Sequence, residues 1–213
     1  MLAEDFPPLP RPFYNRDPAL VARELLGKRL WRQTAEGLAS GRIVETEAYL
    51  SSRDPACHAT RGMTRKNASM FGPPGHAYVY MIHSRWCLNA VTEGEGASSA
   101  VLLRAIEPLD GLELMHKRRL KRFAPGTLLR PLDYARGPGR LGEALAIDRT
   151  FDGWDLTFGE KLWITDDPAF DSSSAKVARS PRIGINAAKA RLLRFFLSGN
   201  IYVSGSRQHL RKR

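Results

Sequence analysis

The chain has 213 residues, 43% of them hydrophobic, and carries 33 Lys and Arg against 22 Asp and Glu, a formal charge of +11. That length suits one well-packed domain and is too short for two large ones, and the basic excess favours a polyanionic partner over an acidic small molecule. Two cysteines, Cys57 and Cys87, exclude a disulfide framework or a cysteine-based zinc site and suit a reducing, cytoplasmic interior. No apolar run has the length of a membrane span, and the N-terminus lacks the charged-then-apolar order of a signal peptide.

Residues 1–12 hold prolines at 7, 8, 10 and 12 and are expected to be extended and loosely held, ahead of a single domain over 13–205 and a basic tail over 206–213. Asp17-Pro18 predicts a helix cap with proline in the first turn, and Leu20, Val21, Leu25 and Leu26 then form one apolar stripe that Gly27 ends. Residues 28–33 and 39–50 read as two strands around an Ala35-Glu36-Gly37 turn. In the second strand Glu45 and Glu47 are two apart and so share a face.

The stretch 51–75 is a long polar segment rich in Gly, Pro and Ser, and it contains Arg61, Arg65 and Lys66. Such loops are uncommon in compact domains unless they bind something. His58 lies within it, and a lone loop histidine is by default a solvated side chain. Residues 76–82 and 86–91 form a hairpin around His83-Ser84-Arg85, with Tyr78, Tyr80 and Ile82 on one face. Tyr78 is expected in the core.

Residues 100–106 make an apolar strand broken by Arg104, a guanidinium that needs a carboxylate partner or an anionic ligand if buried. Glu45 or Glu47 can supply that partner. The helix predicted over 109–122 ends in a basic run, which suits either a solvated face or a phosphate-tracking one. Gly137 to Leu141 is a tight turn before a short helix reaching Ala146, with glycines that suit a phosphate contact. Trp163, Phe195 and Phe196 are expected inside.

GRIVETEAY, the later His58, the YVY hairpin ending in Asn89, and VLLRAIEPLDG together resemble the alkyladenine (3-methyladenine) DNA glycosylase family, over about Phe13 to Val203. The resemblance implies a single mixed α/β (α+β) domain, a curved antiparallel sheet with surrounding helices and a protruding β-hairpin that enters the DNA minor groove. It implies Glu47 as the carboxylate that activates water, with Arg104 beside it. Tyr49, His58 and Tyr80 match the aromatic walls around an extruded base, and Asn89 the residue that excludes guanine's amino group. At the hairpin tip the family's wedge tyrosine is replaced by His83, and the tip is one residue shorter, which leaves Arg85 and Trp86 as sharers of the wedge role. Phosphate contacts fall to Arg61, Arg65, Lys66, Arg136 and Arg140.

The chemistry fits those residue types. A base within a duplex hides its glycosidic bond, so the nucleotide must be flipped out at a cost of a few kcal/mol. Stacking on an aromatic platform offsets about 1–3 kcal/mol per base, and tyrosine faces attract the positive charge of an alkylated purine. Such a cation leaves without a general acid, so one carboxylate can suffice where ordinary glycosidases need two. The expected protein is therefore a monofunctional, monomeric DNA glycosylase acting on damaged purines in double-stranded DNA, without cofactor, metal or membrane. The alternative is a non-catalytic protein that uses the same rings to hold single-stranded nucleic acid.

Overall fold

The computed structural model describes residues 6–205, so the basic tail expected over 206–213 lies outside the described residues. After helices α1 (Arg11–Tyr14) and α2 (Pro18–Glu24), the chain enters strands β1 (Arg29–Thr34) and β2 (Gly37–Tyr49). The hairpin strands are β3 (Ala77–Ile82) and β4 (Arg85–Thr92), followed by β5 (Ser99–Asp110), helices α3 (Leu112–Leu120) and α4 (Pro138–Ala144), and strands β6 (Leu162–Thr165), β7 (Val177–Ser180) and β8 (Arg194–Leu197). All eight strands join one antiparallel open sheet, in the order β3-β4-β5-β2-β1-β6, with β8 pairing both β2 and β7. No helix among the described residues is long and apolar enough to cross a membrane.

The long strand β2 organises the sheet. Its first half pairs with β1 and its second half with β8, while β5 runs along its other edge. Three irregularities interrupt the β2–β5 register, and Arg104 falls at one of them, between Leu103 opposite Thr46 and Ala105 opposite Glu45. A bulge re-aims a side chain that regular alternation would have sent to the other face. The core packs Ile43, Val44, Leu88, Leu103 and Ile106 of the sheet against Val21, Met115 and Leu141 of the helices.

Several local expectations change on folding. Asp17 caps α2 by accepting from the backbone N–H groups of Ala19 and Leu20, but Leu20 itself stays 42% exposed while Val21, Leu25 and Leu26 are buried. Of the segment expected to be loose, residues 1–5 lie outside the described residues, and the stretch from Leu9 is held: Leu9 is buried, its N–H donates to the Ile164 carbonyl, and residues 11–14 turn into α1. The segment 51–75 contains three short 3-10 turns, at 51–53, 58–61 and 68–71. The basic run of α3 is only partly solvated, since Lys117, Lys121 and Arg122 are exposed, and most of its charges have carboxylate partners. Arg118 and Arg119 are buried, Lys117 and Arg118 pair with Glu36, and Arg119 pairs with Glu143.

Candidate active site

A cavity of about 510 Å³ opens between the end of β2, the hairpin, the loop around His58 and the segment 183–187. Its volume lies within the range of small-molecule pockets. Tyr49, His58, Tyr80, Asn89 and Arg104 all line it, so five of the six predicted catalytic and base-binding residues meet in one place. Tyr78 is buried beside it, as expected of a core residue, and its hydroxyl lies 2.8 Å from His58 Nδ1.

The sixth residue, Glu47, sits one hydrogen bond behind the wall. It has no exposed surface, and its carboxylate is held by three groups that do line the cavity. Tyr49 donates its hydroxyl to Oε2 at 3.0 Å, the Ile183 N–H donates to Oε1 at 2.7 Å, and Arg104 Nη1 lies 3.2 Å from Oε2. The segment carrying Ile183 has no regular secondary structure from 181 to 190.

Arg104 bridges two carboxylates whose environments differ. Its Nε donates to Glu45 Oε1 at 2.9 Å, and Glu45 also accepts from Arg194 Nε at 2.6 Å and from the Ser204 N–H and hydroxyl at 2.7 and 2.9 Å. Burial disfavours the charge on Glu45, but Arg104 and Arg194 outweigh it and hold the carboxyl below its ordinary value. For Glu47 burial wins over Arg104 and the two hydrogen-bond donors, and the carboxyl is pushed up. The two neighbouring acids thus have separated ionisation, with Glu45 the anion that anchors Arg104.

The rings are neutral. Burial drives the hydroxyls of Tyr49 and Tyr80 well above their usual range and lowers His58. His58 and Tyr80 touch edge to face, with centroids 4.6 Å apart at 79°, so they form one corner and not two opposed walls. One face of Tyr49 is already covered by the Arg182 guanidinium, 4.6 Å from the ring centre. Asn89 donates its amide to the Tyr78 carbonyl at 2.9 Å.

At the hairpin tip, His83 and Ser84 form a two-residue turn with φ of 46° and 58°, tighter than the three-residue turn expected from the sequence. His83 is exposed and lines the cavity mouth with Ile82. The other two wedge candidates are placed differently. Arg85 turns to Glu143, with Nε 3.0 Å from Oε1, and Trp86 packs partly buried against the core. Met81 and Ile82, 52% and 46% exposed, are the apolar side chains that flank the tip. Arg61, Arg65 and Lys66 are exposed, whereas Arg136 donates to the Val203 carbonyl and Arg140 lies 3.7 Å from Asp133.

Sequence reasoning missed a second buried pair behind the site. Asp54 and Arg182 have no exposed side-chain surface and pair through both carboxylate oxygens, while Arg182 also donates to the Ala48 carbonyl. It missed Arg194 as well, although a guanidinium in the apolar run Leu192 to Leu197 is the same signal that singled out Arg104.

The profile of the methylpurine-DNA glycosylase (MPG) family matches residues 12–201. A Mesorhizobium japonicum protein provisionally named a 3-methyladenine DNA glycosylase is 46% identical over 205 residues, spanning 96% of this chain and 93% of its own. Similarly named proteins from Rhodopirellula baltica and Methanocella arvoryzae are 48% and 46% identical, over 94% and 88% of this chain and 84% and 90% of theirs.

Proposed function

This chain belongs to the methylpurine-DNA glycosylase family and is a DNA N-glycosylase, and from that premise we propose that it flips alkylated purines out of duplex DNA and hydrolyses the glycosidic bond with a water activated by Glu47. The observation that carries this reading is a buried carboxylate, raised in pKa, held by Arg104 and Tyr49 at the wall of an aromatic cavity. The non-catalytic single-strand reading leaves such a carboxylate unexplained.

The base enters between the free face of Tyr49 and the corner made by His58 and Tyr80. Its cationic ring gains from the tyrosine faces, which neutral purines do not engage to the same degree. Water reaches Glu47 only if the Ile183 N–H releases its Oε1, a requirement of this mechanism. The C1′–N bond breaks with its electron pair passing to the purine, water oxygen bonds to C1′, and the water's proton passes to Glu47. The products are an abasic site and a free base. Arg104 opposes the burial that raises Glu47 and so favours its ionised form, and, anchored by Glu45, it does not follow Glu47 on protonation.

A neutral deaminated purine such as hypoxanthine also needs a proton. Among the lining residues the tyrosine hydroxyls and the Cys87 thiol, pushed up by burial to about 11, hold theirs tightly, and burial disfavours a proton on His58. Hypoxanthine is therefore released, but more slowly than alkylated bases. Asn89, fixed by Tyr78, meets the base edge and disfavours guanine's amino group. His83 and Ile82 fill the vacated stack, and Arg61, Arg65 and Lys66 contact phosphates, with Arg136 and Arg140 secondary because each already has an internal partner. The reading needs no side chain from a second copy.

The test is incubation with duplexes carrying 3-methyladenine, 7-methylguanine or hypoxanthine, followed by alkaline cleavage. Strand breaks at the methylated bases, with slower breakage at hypoxanthine, are expected. Affinity without breakage at any of them would overturn the reading.

A further inference from the structure

The hairpin tip has an unusual sequence for its geometry. A two-residue hairpin turn of type I′ has both central residues in the left-handed region, which is why Asn-Gly and Asp-Gly dominate it. Here the positions are His83 and Ser84, at φ 46° and 58°, and neither is a residue that favours that region as glycine does. The turn is therefore not self-supporting, and something outside the hairpin has to hold it.

The described contacts supply that support from one side. Arg122, just past α3, donates Nη2 to the Ser84 carbonyl at 2.6 Å and places Nε 2.9 Å from Glu143 Oε1. The same Oε1 lies 3.0 Å from Arg85 Nε, and Oε2 pairs with the buried Arg119. One carboxylate on α4 thus gathers three arginines, one from the hairpin and two from the α3 region. Two glycines on α4 allow the close approach. A Cβ at Gly139 would meet Arg85 Cδ at 2.6 Å, and one at Gly142 would meet the Trp86 carbonyl oxygen at 2.2 Å. Helix α4 is a seat for the base of the hairpin.

We propose that Glu143 and Arg122 are positioning residues for base flipping, forming with Arg85 a brace that holds the His83-Ser84 turn in the shape that enters the DNA stack. On this assignment Arg85 is a strut and not a wedge. The brace touches neither the cavity nor Glu47, so it acts on extrusion of the nucleotide and leaves bond cleavage alone. This rests on the glycosylase reading above.

That separation gives the test. Single-turnover base release, at enzyme concentrations that saturate the DNA, is compared for 7-methylguanine in a duplex and for the same lesion in a one-nucleotide bulge, where it is already unpaired. Arg122→Ala and Glu143→Ala are each expected to slow release from the duplex about tenfold, the order expected for losing a charge-assisted hydrogen bond to the Ser84 carbonyl in the first and the ion pairs that hold Arg122 and Arg85 in the second, and to leave the bulged substrate within about twofold of wild type. Adding Ser84→Gly, which makes the turn self-supporting, should restore most of the duplex rate to Arg122→Ala. Arg122 is 43% exposed at its side chain, so its removal leaves a folded protein to measure if the Glu143 variant fails to fold. Equal losses on both substrates, an unchanged duplex rate, or no restoration by Ser84→Gly would each overturn the brace. Failure of the wild-type protein to release either base would instead sink the glycosylase reading itself.

Discussion

Asp54→Asn separates the support of the site from its chemistry. Asp54 accepts from two Arg182 nitrogens and from the N–H groups of Leu50 and Ala56, with neither charged side chain exposed. Substituting the amide leaves Arg182 as a buried cation without its counter-ion, a loss of about 3–5 kcal/mol. Against a total stability on the order of 5–15 kcal/mol that is a large fraction. For a domain of this size each kcal/mol moves Tm by about 2–4 °C, so a fall of about 6–20 °C is expected. Activity should fall too at temperatures where the variant is folded, because Arg182 backs the Tyr49 ring and adjoins Ile183, whose N–H holds Glu47. The assay is urea unfolding across pH. Burial opposes the charge on Asp54, but Arg182 and the backbone donors hold its folded pKa below the usual value. The stabilisation is then fully present above the unfolded pKa of about 3.9 and is lost as pH falls through the folded value. The gap between wild type and variant should be constant near neutrality and close in acid. A loss under about 1 kcal/mol with an unchanged m-value would refute the reasoning.

Because burial raises Glu47 and the base must be ionised to act, single-turnover release should climb as pH rises through an acidic limb above the ordinary glutamate value of about 4.3; a rate that stays flat down to pH 4 would contradict this. His83→Tyr should raise the fraction of flipped lesion, read with a fluorescent base analogue, while His83→Ala lowers it, each by several-fold, about 1 kcal/mol. Asn89→Ala should increase release of guanine-derived bases relative to adenine-derived ones by about tenfold, measured in paired excision assays. Removing the exposed charge of Arg65 should weaken duplex binding uniformly across sequences and lower the salt slope by about 1.

What the sequence made legible was whatever local pattern controls. Alternation from Ile43 to Tyr49 put Glu45 and Glu47 on one face, and the lone guanidinium in the apolar run at 100–106 marked Arg104 as needing a carboxylate; in the fold it binds both. Asp17 capped its helix for the same local reason. The misses concern contacts distant in sequence. Asp54 meets Arg182 across 128 positions, and no spacing rule connects them. The basic run of α3 gave no hint that Glu36 and Glu143 would absorb most of it, because partners on other elements cancel charge that local composition counts as free. Adjacency to the tip groups Arg85 and Trp86 with His83, while in the fold the two-residue turn ends at Ser84 and these two residues belong to β4 and lie against α4, a placement no local pattern announces. The depth of Glu47 behind the cavity wall was equally out of reach, being set by the Ile183 segment.

The central claim is that Glu47 activates the water, and single-turnover base release by Glu47→Gln tests it most directly. The variant should bind lesion-bearing duplex as tightly as wild type and release 7-methylguanine on the order of 10²–10⁴-fold more slowly, since the change removes a group needed only in the transition state. Release within tenfold of wild type, with binding unchanged, would show that another group does the work.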